Sequence, residues 1–188
     1  MCEPEFRLPI DRHVNADQFA VHVADNVAEL HRYVARRVGL DPAEDIVADV
    51  FMTAYRRRDR FDPALGPIRP WLFGIATNVI HRHHRQEARH LRALGRLEGR
   101  QVAAADSPDP VIGAEHRALV TALGRMKTEH RDALFLFAVA GLTIPEIAQA
   151  MAVPEGTVKT WLHRGRAVAA EHFERTLAEA CVPKGGTR

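Results

Sequence analysis

The chain has 188 residues, 46% hydrophobic and 27% charged, the composition of a soluble globular protein of one medium or two small domains, which excludes a disordered or membrane-embedded chain. Formal net charge is only +2 with a sequence pI near 8.8, so any affinity for nucleic acid has to come from where cations are grouped, not from their sum. Residues 1–15 carry no apolar run behind a basic stretch and no later segment reads as a span, so neither a signal peptide nor membrane insertion is expected, and the chain reads as cytoplasmic. Cys2 and Cys181, the only cysteines, stand at opposite ends and make neither a disulfide framework nor a cysteine-rich zinc site.

Apolar residues recur at helical spacing almost throughout, and strand-like alternation does not persist, which predicts an all-α fold. Phe19, Val23, Val27, Leu30, Val34 and Val38 share one face until Gly39 stops it. Asp41, with Pro42 behind it and Glu44 three positions on, reads as the cap of a second helix whose buried face is Ile46, Val50 and Ala54 and whose end falls near Arg60. Pro63, Gly66 and Pro67 make a turn, and Pro70 opens a third helix with Trp71, Leu72, Ile75, Ala76 and Val79 on its apolar side. Its continuation is basic, with Arg82, Arg85, Arg89, Arg92, Arg96 and Arg100 outnumbering Glu87 and Glu98 while Leu91, Leu94 and Leu97 keep one face apolar.

Residues 102–113 combine small residues with Asp106, Ser107, Pro108, Asp109 and Pro110, a composition that breaks helices and buries little. A second helical cluster follows, with Leu119, Val120, Leu123 and Met126 on one helix and Ala133, Leu134, Phe137 and Ala140 on the next, closed by Gly141. The expected organisation is two small helical domains joined by a flexible linker. It comprises an N-terminal extension at 1–16, a first domain at 17–100, the linker at 101–114, a second domain at 115–176 and a tail at 177–188.

The sharpest local pattern begins at Thr143, which caps a helix while Glu146 reaches back to the free amide, the reciprocal arrangement of a capping box. Ile147, Ala148 and Met151 then face inward, residues 152–154 make a short turn, and Glu155 starts a second helix with Val158 and Leu162 inward. Lys159, Thr160, His163 and Arg164 therefore project from the other side, offering cations to phosphates and hydrogen bonds to base edges in a major groove. An ordinary amphipathic hairpin explains the apolar spacing equally well, but not the capping, the turn and the basic face together.

These residues resemble a known family. Gly141-Leu142-Thr143 through Glu146-Ile147-Ala148, then Glu155-Gly156-Thr157-Val158-Lys159 and His163-Arg164-Gly165-Arg166, are similar to the last conserved region of bacterial sigma factors of the extracytoplasmic-function group. Ala43-Glu44-Asp45-Ile46-Val47-Ala48-Asp49-Val50-Phe51, Arg60-Phe61-Asp62 and Arg69-Pro70-Trp71-Leu72-Phe73-Gly74-Ile75-Ala76-Thr77-Asn78 resemble that group's core-binding and promoter-melting region. The resemblance implies a dissociable subunit of RNA polymerase with no active site and no cofactor, whose partners are core RNA polymerase, promoter DNA and an anti-sigma factor. It places contacts to the −35 element on Thr157, Lys159, Thr160, His163 and Arg164. It places a flipped-out base of the −10 element at Asn78, with Trp71, Arg82 and Arg85 beside it, and core polymerase at Asp45, Ile46, Asp49, Val50 and Phe51. The chain departs from the family's usual pattern at Trp161, which replaces an arginine, at Ala48 and Asp49, which replace glutamine and glutamate, and at Met126-Lys127, which replaces Leu-Pro.

Some residues admit blander roles. Trp71 either stacks on an unpaired base or belongs to the core. Helical spacing scatters His81, His83, His84 and His90, and no carboxylate or cysteine completes four ligands, so no metal site is expected. Arg56-Arg57-Arg58 reads as a solvated helix end. The competing function is a stand-alone helix-turn-helix transcriptional regulator, with a metal-dependent hydrolase a distant third.

Overall fold

A computed structural model describes Phe19, residues 23–98 and residues 122–181. All regular structure among them is helical. The chain divides into two units, Met1–His83 and His84–Arg188, with the division inside the third helix. The expected extension 1–16 and linker 101–114, together with Leu119, Val120 and the end of the tail beyond Cys181, lie outside the described residues.

In the first unit, α1 (Val27–Val38) buries Leu30, Tyr33 and Val34 and is closed by Gly39, whose φ of 89° suits a residue without a side chain. The chain breaks in a turn at Asp25 and Asn26, so the long face expected from Phe19 onward is not one continuous stripe: Phe19 is buried, but Val27 is 41% exposed. Packed on α1 is α2 (Ala43–Arg56), with Ala43, Ile46, Val47, Val50 and Ala54 inward at the spacing of one helix face. Pro42, not Asp41, occupies its cap position, and no side chain caps it; Glu44 and Asp45 in the first turn favour the positive end of the helix dipole instead. The helix ends at Arg56, four residues before the expected point, because the backbone tightens into a 3-10 turn at Arg58–Arg60.

Asp62 accepts a hydrogen bond from the Ala64 amide (2.9 Å) and starts a second 3-10 turn, Pro63–Leu65, after which Gly66 at φ 136° reverses the chain. The helix α3 (Ile68–Glu98) then runs for 31 residues. It begins two residues before Pro70, which is accommodated because first-turn residues have no carbonyl partner to lose. Leu72, Phe73, Ile75, Ala76, Val79 and Ile80 are all buried, so this stretch is enclosed nearly all round. Past it the helix is solvated, and Leu91, expected on an apolar face, is 37% exposed.

A buried hydrogen-bond chain ties α1 to α3. Thr77 Oγ1 donates to the Phe73 carbonyl (2.9 Å), which leaves the Tyr33 hydroxyl to donate to Thr77 Oγ1 (2.9 Å) while accepting from Arg37 (2.9 Å). The Tyr33 ring meets Phe73 edge to face at 5.1 Å, so one side chain supplies packing and polar satisfaction at once.

In the second unit a helical turn at 122–125 precedes α4 (Thr128–Ala138), α5 (Ile144–Met151) and α6 (Glu155–Cys181). Ala122, Met126, Ala133, Leu136, Ala140, Leu142, Ile147, Val158 and Leu162 form its core. On α4 the buried face includes Leu136 rather than the expected Phe137, which is 39% exposed. Gly141 at φ 64° ends that segment, and the Leu142 amide returns to the Leu136 carbonyl (3.0 Å).

Replacing Tyr33 with Phe should cost about 1 kcal/mol, the net worth of the hydrogen bonding that its hydroxyl supplies between Arg37 and Thr77. For a domain of this size that is a fall of about 4 to 8 °C in Tm, readable by circular dichroism. An unchanged Tm would show that the chain of hydroxyls contributes nothing beyond packing.

Candidate nucleic-acid interface

The helix-turn-helix is built from its cap upward. Glu146 Oε2 accepts from both the backbone amide and the hydroxyl of Thr143, each at 2.8 Å, and the reciprocal contact from the Thr143 side chain completes the capping box. This pins the start of α5. The turn after it uses Ala152 in the left-handed conformation (φ 53°, ψ 47°), with its amide on the Ala148 and Gln149 carbonyls and the Val153 amide on Ala148 at 3.0 Å. Pro154 then offers its carbonyl to the amides of Thr157 (2.9 Å) and Val158 (3.3 Å), launching α6.

Val158, Leu162 and Gly165 lie buried along one side of α6. Gly165 lies close against α4, since a Cβ built there would lie 2.7 Å from Leu134 Cδ1 and 3.4 Å from the His130 carbonyl oxygen. With that spine inward, Lys159, Thr160, His163 and Arg164 are all exposed, spread over about 140° of the helix circumference. Thr157 is half-buried at the edge. Thr160 donates to the Gly156 carbonyl (2.9 Å), so its oxygen remains an acceptor facing solvent. Trp161 is half-buried, a packing residue at the rim where an arginine would have projected.

On α3 the seven-residue spacing of Trp71, Asn78 and Arg85, with Arg82 four residues after Asn78, puts all four within about 60° of one another around the helix. Asn78, Arg82 and Arg85 are exposed; Trp71 is half-buried. Asn78 Nδ2 donates to the Gly74 carbonyl (3.0 Å), which orients the amide and leaves its oxygen outward. Trp71 lies 5.5 Å from the Phe61 ring and meets Phe19 edge-on at 6.3 Å. Its ring is engaged by two aromatic neighbours while it remains half-buried. Arg82 reaches Asp49 on α2 at 3.4 Å, an ion pair with both side chains more than half exposed.

On α2 the residues singled out for polymerase binding divide. Asp45 and Asp49 are exposed and Phe51 is half-buried, whereas Ile46 (5% exposed) and Val50 (0%) belong to the core. Those two therefore cannot be contact residues of the folded chain; they hold the helix in place beneath the acidic face. Met52 (51%) and Tyr55 (48%) are the large apolar side chains that face outward on this helix, and the motif reading missed them. Their signal was present: Asp45, Ala48, Met52 and Tyr55 follow the same helical spacing on the polar side. Among the described residues no group of three or more histidine, cysteine, aspartate or glutamate side chains is placed to hold a metal.

Comparison with known proteins agrees with this geometry. The family model for Sigma-70 region 2 matches residues 15–90, and that for Sigma-70, region 4 matches residues 116–167. The chain is 31% identical over 141 residues to the ECF RNA polymerase sigma factor SigL of Mycobacterium tuberculosis, covering 74% of this chain and 79% of that protein. It is 30% identical over 150 residues to the RNA polymerase sigma factor CarQ of Myxococcus xanthus, covering 79% and 85%. Among solved structures, CnrH in complex with the cytosolic domain of CnrY aligns with a TM-score of 0.60 at 25% identity, over 89% of this chain and 91% of that one. The sigma factor RpoE, solved with the anti-sigma factor NepR from Bartonella quintana, shares the fold with a TM-score of 0.62 at 22% identity, over 85% and 98%. The chain belongs to the sigma-70 family, in its extracytoplasmic-function group. It is a transcription initiation factor that directs RNA polymerase to promoters.

Ala152 holds a conformation that costs an L-residue roughly 1 to 2 kcal/mol. Ala152→Gly should therefore raise stability by up to about 1 kcal/mol after the larger entropy of an unfolded glycine is subtracted. Urea unfolding reads this directly; a lower midpoint for the glycine variant would mean that the turn is not strained.

Proposed function

We propose that α6 reads the promoter −35 element through Thr157, Lys159, Thr160, His163 and Arg164, while α3 holds the opened −10 element at Asn78 with Arg82 and Arg85 on the neighbouring phosphates. The observation that carries this reading is the buried spine of α6, Val158, Leu162 and Gly165, which leaves a cationic, hydrogen-bonding face outward. Arginine and lysine match guanine edges and phosphates, and threonine and histidine match either purine or pyrimidine edges in the major groove. An amide side chain hydrogen-bonds an extruded base, whose unstacking costs a few kcal/mol that the site must offset.

Core polymerase docks on the exposed side of α2, with Asp45 and Asp49 providing charge and Met52 and Tyr55 apolar area. The working domains are 17–100 and 115–176, joined through 101–114. The protein acts in the cytoplasm without chemistry of its own; no helix among the described residues is long and apolar enough to cross a membrane. An anti-sigma factor is the natural antagonist, supported by the sigma factor RpoE solved with the anti-sigma factor NepR and by CnrH solved with the cytosolic domain of CnrY.

Run-off transcription with purified core polymerase tests the whole reading, using a promoter fragment that the wild-type holoenzyme selects from a genomic library. Lys159→Ala and Arg164→Ala should each weaken promoter binding by roughly 1 to 3 kcal/mol with melting unchanged. Undiminished transcription from the double variant would remove the −35 assignment. In competition against another sigma factor for core, Asp45→Ala and Asp49→Arg should bind less well, with melting lowered by no more than about 1 kcal/mol, since the Arg82 pair is exposed. Equal competition by both variants would remove the acidic face from the docking surface. A stand-alone regulator, by contrast, would shift its DNA site in a gel without core polymerase.

A further inference from the structure

Beside the base-reading face of α6 stands a feature that reading does not use. Phe137 on α4 is 39% exposed, an aromatic ring on the surface of a small domain whose core is filled by its neighbours Leu136 and Ala133. The guanidinium carbon of Arg166 lies 4.9 Å from the centre of that ring. Arg166 is itself exposed and, among the described residues, has no ion pair. Among the described residues no carboxylate takes up its five N–H donors, and its guanidinium stands over the ring.

The register of α6 decides where that guanidinium stands. Arg166 follows Lys159 by seven residues, so the two project within about 20° of each other and about 10 Å apart along the axis. The neighbouring residue Gly165 is pressed against Leu134, so α6 approaches α4 closely just where Phe137 meets Arg166. A helix that enters a groove at its start leaves it further along, and a cation on the same side two turns later meets the backbone rather than the bases.

We propose that Phe137 is a positioning residue for promoter binding: its ring holds Arg166 so that the guanidinium meets a DNA phosphate flanking the bases faced by Lys159. This rests on α6 being the −35 reader. A free arginine side chain loses rotamer entropy when it binds, and a guanidinium already stacked loses less. Phe137 therefore acts through Arg166 and supplies affinity without sequence preference.

The test uses holoenzyme reconstituted from the full chain and core polymerase, on the promoter fragment selected by the wild type, over a range of salt concentrations. Arg166→Ala should weaken binding and reduce the slope of log K against log salt by about 0.9, the loss of one phosphate contact. Phe137→Leu should weaken binding by about two- to fivefold, the scale of an exposed cation–π contact, and Phe137→Tyr should restore it. In the Arg166→Ala background Phe137→Leu should have no further effect. The inference is overturned if Arg166→Ala leaves the salt slope unchanged, or if Phe137→Leu costs the same with and without Arg166, which would make the ring a direct DNA contact or a fold determinant. Lys159→Ala separates the two levels: if it too is without effect, the −35 reading itself has failed, whereas if it alone weakens binding, only the role of Phe137 and Arg166 has.

Discussion

Gly165 lets α6 lie close against α4: a Cβ there would come within 2.7 Å of Leu134 Cδ1, so the Leu134 side chain would have to move. That contact, continued by Val158 and Leu162, locks the rotation of α6 about its own axis. Rotational phase matters more than stability here. A helix turned by one residue, about 100°, would bury a lysine or an arginine and present an apolar edge to DNA. Everything proposed for the second domain follows from which side of α6 is dry.

The first domain solves the same problem twice, on α3 and on α2. From Leu72 to Ile80 α3 is enclosed except at Asn78, and the hydroxyl chain through Tyr33 and Thr77 ties it to α1. Asn78 protrudes from that enclosed stretch rather than from a loop, so its amide is presented by backbone that cannot easily give way. A few kcal/mol of unstacking energy has to be recovered from a small number of contacts, and rigid presentation limits what is lost in ordering them. On α2 the buried residues Ile46, Val47 and Val50 do the equivalent for the acidic face above them.

The ion pair between Asp49 and Arg82 connects these two surfaces. Its partners are both more than half exposed, so it contributes little to folding. It does put a residue proposed for polymerase docking beside one proposed for the promoter strand. The apolar Met52 and Tyr55 next to it supply what exposed charge alone cannot, because burial of nonpolar area contributes more to association than a solvated pair does.

The sequence by itself determined the helical class, the helix-turn-helix with its capping box at Thr143 and Glu146, and the outward set Lys159, Thr160, His163 and Arg164. These rest on local rules: periodicity, cap chemistry and turn residues act within a few positions of each other. Only the tertiary structure decided that Ile46 and Val50 are core while Met52 and Tyr55 face out, that Trp71 is engaged by Phe61 and Phe19, and that Phe137 rather than Leu136 lies at the surface. Periodicity identifies an apolar stripe but leaves its centre uncertain by about one residue. Where a stripe is wide or its apolar residues are adjacent, the packing partner alone chooses which of them the solvent sees.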